Sequence, residues 1–157
     1  MRELWQRGVL AALLLVWSGT LAVAHAQAAS VSPVQGLSFG LLLPGTPETV
    51  TVDDAMRRGV VALSGTGQLD VTFVLPASLL SPEGGTLPIS FSAESAGLLA
   101  SAGGAAAPIN PQQLLRVQLM SDRVLHLVLG GTARPATTQR AGHYSARIVI
   151  IVSQPGT

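Results

Sequence analysis

The sequence predicts an all-β protein, an antiparallel sandwich of seven or eight short strands. Three observations carry that expectation. Apolar residues recur at every second position in run after run, which places them on one face of an extended chain. The runs are short and are separated by Gly, Pro and Ser clusters, a punctuation that indicates an antiparallel sandwich rather than βαβ units. Only 11% of the 157 residues are charged while 48% are hydrophobic, so the chain has enough apolar surface to offset the entropy of ordering it.

The first element is predicted to be discarded before folding. Arg2 and Arg7 form a positive leader, residues 8–24 carry no charge and are rich in Leu, Val and Ala, and Ala24-His25-Ala26 offers a signal-peptidase site. Residues 1–26 therefore read as a cleaved signal peptide. A retained anchor is the competing reading, since a bilayer span needs roughly 20 apolar residues. Gly19 and Thr20 interrupt the stretch, and the A-x-A site closes it. No later run is long enough to span, so no membrane crossing is expected after cleavage.

Residues 27–36, QAASVSPVQG, read as an N-terminal arm with poor alternation and an internal Pro33. The sandwich domain is placed at residues 37–157. Leu37, Phe39, Leu41 and Leu43 alternate as a first strand, and Val50 and Val52 as a second. Residues 59–63 form a third. Leu69, Val71, Phe73 and Leu75 form a fourth with Asp70 and Thr72 opposite, and Pro76 stops it. Leu87, Ile89, Phe91 and Ala93 make a fifth, in which Pro88 must occupy an edge or a position that donates no ladder hydrogen bond.

Residues 95–111 are rich in Ala and Gly and are predicted to be a loop with a helical turn near residues 96–101. Leu115, Val117 and Leu119, then Leu125, Leu127 and Leu129, form two strands with Ser121-Asp122 as a tight hairpin turn. The last strand covers residues 144–153. Tyr144, Ala146, Ile148, Ile150 and Val152 share one face, and Val149 and Ile151 make the second face partly apolar.

Cleavage after Ala26 leaves seven arginines against seven carboxylates, and no lysine or cysteine exists anywhere in the chain. A neutral domain without a basic run has no electrostatic footprint for nucleic acid or anionic lipid. Stability has to come from packing or from a partner, because no disulfide can form.

The residues expected to carry chemistry do not form a recognisable set, and no catalytic, cofactor or metal site is expected. His126 and His143 stand in no metal-ligand spacing and read as surface residues. Ser64-Gly65-Thr66-Gly67 lacks the lysine of a phosphate cradle and reads as a turn. Asp53 and Asp54 are adjacent, so on an extended chain they point apart, and Arg57 and Arg58 are close by. Phe39, Phe73 and Phe91 fall on inward positions and read as core, not as a stacking platform.

Leu37-Ser38-Phe39-Gly40, the Val71-to-Pro76 run VTFVLP, Leu129-Gly130-Gly131-Thr132 and Ala141-Gly142-His143-Tyr144-Ser145-Ala146 occur in an order and spacing that resembles a bacterial family of exported domains. That family in turn resembles spore coat U domains and the pilin subunits of chaperone–usher fimbriae. The resemblance implies an immunoglobulin-like, pilin-like sandwich lacking one edge strand. It also implies β-strand addition from like subunits or a periplasmic chaperone. On this reading Val149 and Ile151 contact a donated strand; a central strand buried on both faces would give the same pattern. The arm at residues 27–36 is a poor donor, and the cysteine pair common in such subunits is absent.

The function expected is that of an exported, non-enzymatic structural subunit in the periplasm or at the cell surface. The alternative is a monomeric periplasmic or secreted binding module.

Overall fold

The computed structural model describes residues 29–100 and 104–155, so the predicted signal peptide lies outside the described residues. Within them the chain forms twelve strands and no helix. In chain order these are β1 (Ser30–Gln35), β2 (Glu48–Val50), β3 (Gly59–Ser64), β4 (Gly67–Val74), β5 (Ser78–Leu80) and β6 (Thr86–Ser90). They continue with β7 (Ala96–Leu99), β8 (Ala107–Ile109), β9 (Leu115–Leu119), β10 (Leu125–Leu129), β11 (Gly131–Ala133) and β12 (Val149–Ser153). Every strand pairing is antiparallel.

The strands form three sheets, ordered β1-β3-β10-β7-β8, β2-β11-β6-β5 and β12-β4-β9. The five-stranded and three-stranded sheets make a β-sandwich. Leu63 and Leu127 of the first pack on Leu69, Val71, Phe73, Val117 and Leu119 of the second. All seven are buried, and each such side chain contributes roughly 1.5–3 kcal/mol through removal of apolar surface from water. A second core joins Val50, Leu87, Ile89 and Ala133 of the four-stranded sheet to Phe39, Phe91, Ala96 and Leu129.

One strand path serves both cores. β10 leaves the five-stranded sheet at Leu129, Gly130 makes the joint, and β11 enters the four-stranded sheet. A β-carbon on Gly130 would collide with the Val50 carbonyl oxygen, so glycine is what lets the backbones approach here. The Gly130 N–H donates to the Ser95 carbonyl at 2.7 Å.

Period two predicted burial correctly where the chain is straight. In β4, Leu69, Val71 and Phe73 are buried while Asp70 and Thr72 lie on the other face, and Arg116 of β9 reaches Asp70 at 2.8 Å. Pro88 sits within β6 between β5 and β11, and it only accepts: its carbonyl takes the Arg134 N–H at 2.9 Å.

Several expectations fail: twelve short strands stand where seven or eight were predicted, and the second predicted strand ends at Val50 with Val52 in a turn. Residues 37–43 are not a strand; Gly40, at φ +71°, turns the chain after Phe39, so Leu42 packs inward and Leu41 projects out. The helical turn at residues 96–101 is replaced by β7, which pairs with β10 and β8. Gly97 admits Ala106 against it, a contact too close for any side chain at that position. Ser121-Asp122 does not close a ladder, because β9 pairs with β4 and β10 pairs with β3 and β7, so this turn carries the chain from one sheet to the other. The last strand is shorter than predicted, with Ser145 bridging to Leu80 before β12 begins at Val149.

Ser30–Gln35, within the arm, forms β1 on the edge of the five-stranded sheet. Ser30 stands opposite Ser64, and Ser153 of β12 stands opposite Asp70 of β4. The start of β1 therefore lies beside the turn at residues 65–66, and β12 ends opposite Asp70, toward that same end of β4.

Candidate functional site

β1 and β12 are the edge strands of the two facing sheets on one flank of the sandwich. β12 pairs with β4 through Val149 opposite Val74 to Ser153 opposite Asp70, and its other edge has no partner strand among the described residues. Beside it lies a cavity of about 1120 Å³. One wall is residues 35–42 and the other includes residues 139–148 and Ile150; Phe73, Leu127 and Leu129 are among the core residues that reach its lining.

The first wall is extended but is not paired as a strand. Within residues 37–42 the backbone donors with a partner among the described residues are Ser38 N–H, to the Arg57 carbonyl at 2.8 Å, and Gly40 N–H, to the Ser38 hydroxyl at 3.4 Å. The cavity thus lies between residues 37–42 and the outer edge of β12, two lengths of backbone with donors and acceptors that have no backbone partner among the described residues. Unmet backbone groups of this kind are the template on which another chain adds as a strand.

The second wall is held in place. Leu80 and Ser145 exchange two backbone hydrogen bonds of 2.8 and 2.9 Å, and the Tyr144 hydroxyl donates to the Arg140 carbonyl at 2.9 Å. Arg140, His143 and Arg147 project from this wall and are exposed. Among the described residues the lining contains no carboxylate side chain.

Alternation along β12 decides which side chains face the cavity. Ile148 and Ile150 line it, whereas Val149 and Ile151 are 41% and 53% exposed on the outer face of the three-stranded sheet, next to the half-exposed Val74. The residues singled out from the sequence thus border the free edge from outside, and their neighbours border it from within.

The other candidates are scattered. Asp54 accepts from the Arg57 side chain at 2.7 Å, and that hydrogen bond holds its carboxyl below the usual range; Arg57 also pairs with Glu48. This cluster fastens the turn before β3. His126 lies half-buried in β10 with Nδ1 enclosed, while His143 is exposed on the cavity wall. Among the described residues no three His, Cys, Asp or Glu side chains gather as a metal site, and no helix is long and apolar enough to cross a membrane.

The cavity itself was not predicted. Its walls are about a hundred positions apart in the chain, and the only sequence signal for it is the partly apolar second face of the last strand. Comparison with protein-family models and with curated protein sequences finds no match for this chain.

Proposed function

We propose that the protein is an exported, non-enzymatic structural subunit, pilin-like or coat-like, whose immunoglobulin-like sandwich is completed by a strand from another chain. One observation carries the reading: the unpaired edge of β12 borders an apolar cavity whose opposite wall, residues 37–42, also holds unpaired backbone. A strand laid there would pair with β12 and send alternate side chains between Ile148 and Ile150 on one side and Phe39 and Leu42 on the other. The order of the L-x-F-G, G-G-T and G-x-Y-S motifs supports the same reading, as does the signal-like leader, and the exported compartment follows from that leader.

Hydrogen exchange with an uncharged, alternately apolar peptide tests it. Binding protects the amides of β12 and raises the melting temperature, by mass action on the native state. A peptide series that leaves both unchanged would sink the proposal.

The size of the cavity favours a second reading, a monomeric binding module for a small apolar ligand, since ligand pockets span roughly 300–1,000 Å³. Such a ligand raises the melting temperature without protecting the β12 amides, which separates the two.

A further inference from the structure

We propose that the segment completing this cleft comes from a different protein and carries acidic side chains at the end that meets Arg140 and Arg147. The inference rests on the strand-acceptor reading and adds the chemistry of the occupant: an extended, alternately apolar, acidic peptide.

The charge around the cleft has one sign. Among the described residues, Arg140 and Arg147 are the charged side chains that line it, with His143 beside them, and no Asp or Glu does. Among the described residues, Arg57, Arg116 and Arg123 each have a carboxylate within 4.0 Å, whereas Arg58, Arg134, Arg140 and Arg147 have none; of these four only Arg140 and Arg147 line the cleft. Both arginines belong to the wall pinned by the Leu80 and Ser145 pair, Arg147 between Ser145 and the start of β12 and Arg140 on the far side of Ser145. An occupant paired along β12 runs past Arg147 at the start of that strand, with Arg140 on the same cavity wall.

Both guanidinium groups are exposed, so each pairing with a carboxylate favours binding by up to about fivefold, and two together bias the choice of occupant. Guanidinium groups also take carboxylates in a fork of two hydrogen bonds, which fixes the direction in which the peptide enters. A basic segment is turned away by the same field.

Among the described residues, a second copy of this chain offers no such segment. The arm at residues 27–36 has no acidic residue, and its Ser30–Gln35 stretch is already paired as β1. Of the carboxylates described, Glu48, Asp54 and Asp70 are bound to arginines in their own chain, and Asp53, Glu83, Glu94 and Asp122 stand in turns. None lies on a free extended stretch with alternating apolar neighbours.

The test uses the purified protein and labelled nine-residue peptides of alternating Val and Ser that end in two Glu, two Gln or two Lys, followed by fluorescence anisotropy. A fourth peptide is QAASVSPVQG. The Glu peptide binds at least about tenfold more tightly than the Lys peptide, with the Gln peptide between them. The variant carrying Arg140→Gln and Arg147→Gln, both exposed positions, loses that preference and keeps its affinity for the Gln peptide. Equal binding of the Glu, Gln and Lys peptides overturns the acidic occupant and leaves the strand-acceptor reading standing. Failure of every peptide to bind overturns the strand-acceptor reading and this inference with it. An arm peptide that binds as tightly as the Glu peptide overturns the assignment to a different protein.

Discussion

Gly130 lies against the carbonyl of Val50 so closely that no β-carbon fits between them. This is where one continuous strand path passes from the five-stranded sheet to the four-stranded sheet, and backbone stands on both sides of the contact. Gly130→Ala should cost more than about 2 kcal/mol, because backbone cannot swing away as a flexible side chain can. Gly36→Ala is the control, since an added β-carbon there meets nothing. Thermal unfolding followed by circular dichroism reads both; equal melting temperatures would contradict the packing at the joint.

Leu127 and Leu41 are the same residue type at opposite extremes of exposure, 2% and 94%. Leu127→Ala removes a side chain from the centre of the sandwich and should destabilise by about 2–5 kcal/mol. Leu41→Ala should change stability by less than about 0.5 kcal/mol. Leu41 stands on the cavity wall, so its loss is expected to weaken peptide capture while leaving urea unfolding unchanged.

Arg116 holds the Asp70 carboxylate through two hydrogen bonds of 2.8 and 3.3 Å, and the pKa of Asp70 is lowered as a result. A carboxyl with a depressed folded-state pKa stabilises the fold above its unfolded value, near about 3.9, and loses that contribution as pH falls through the folded value. Asp54, hydrogen-bonded to Arg57, has the same sign. Stability should therefore decline below about pH 4, and Asp70→Asn should flatten the decline. A variant whose acid limb matches the parent would show that this exposed pair contributes nothing measurable.

Ile150→Ala should weaken capture of an uncharged strand peptide by about tenfold, the effect of losing roughly 1.4 kcal/mol of contact inside the cleft. Val149→Ala and Ile151→Ala, on the outer face, should weaken it by less than about threefold. Titration with the same peptide decides, with melting curves confirming that each variant is folded. The reverse ranking would place the occupant on the outer face of the three-stranded sheet.

Much of the fold was legible because period two reports which side chains face inward. Leu69, Val71 and Phe73 announced both a strand and its buried face, and Phe39 and Phe91 were recognisable as core. Alternation does not report which strand is the neighbour, so Ser121-Asp122 looked like a hairpin turn although it crosses between sheets. It also fails where one glycine resets the phase, as Gly40 does, and where alanine's helix propensity is overridden by pairing, as at β7. Val149 and Ile151 were visible as an unusual apolar pair; the cavity beside them was not, because residues 35–42 and 139–150 meet only in the folded chain.

The register that puts Ser30 beside Ser64 and Ser153 beside Asp70 has a mechanical meaning. Tension applied at the outer ends of β1 and β12 would act at one end of the sandwich, loading their ladders in sequence instead of in parallel. Strands pulled this way unzip one bond at a time, and resistance to force is governed by how fast the structure opens. The isolated domain is accordingly built to give way under a pull on its two ends. A thread made of such domains would have to carry its load through another path, across the flank where the outer edge of β12 has no partner strand among the described residues.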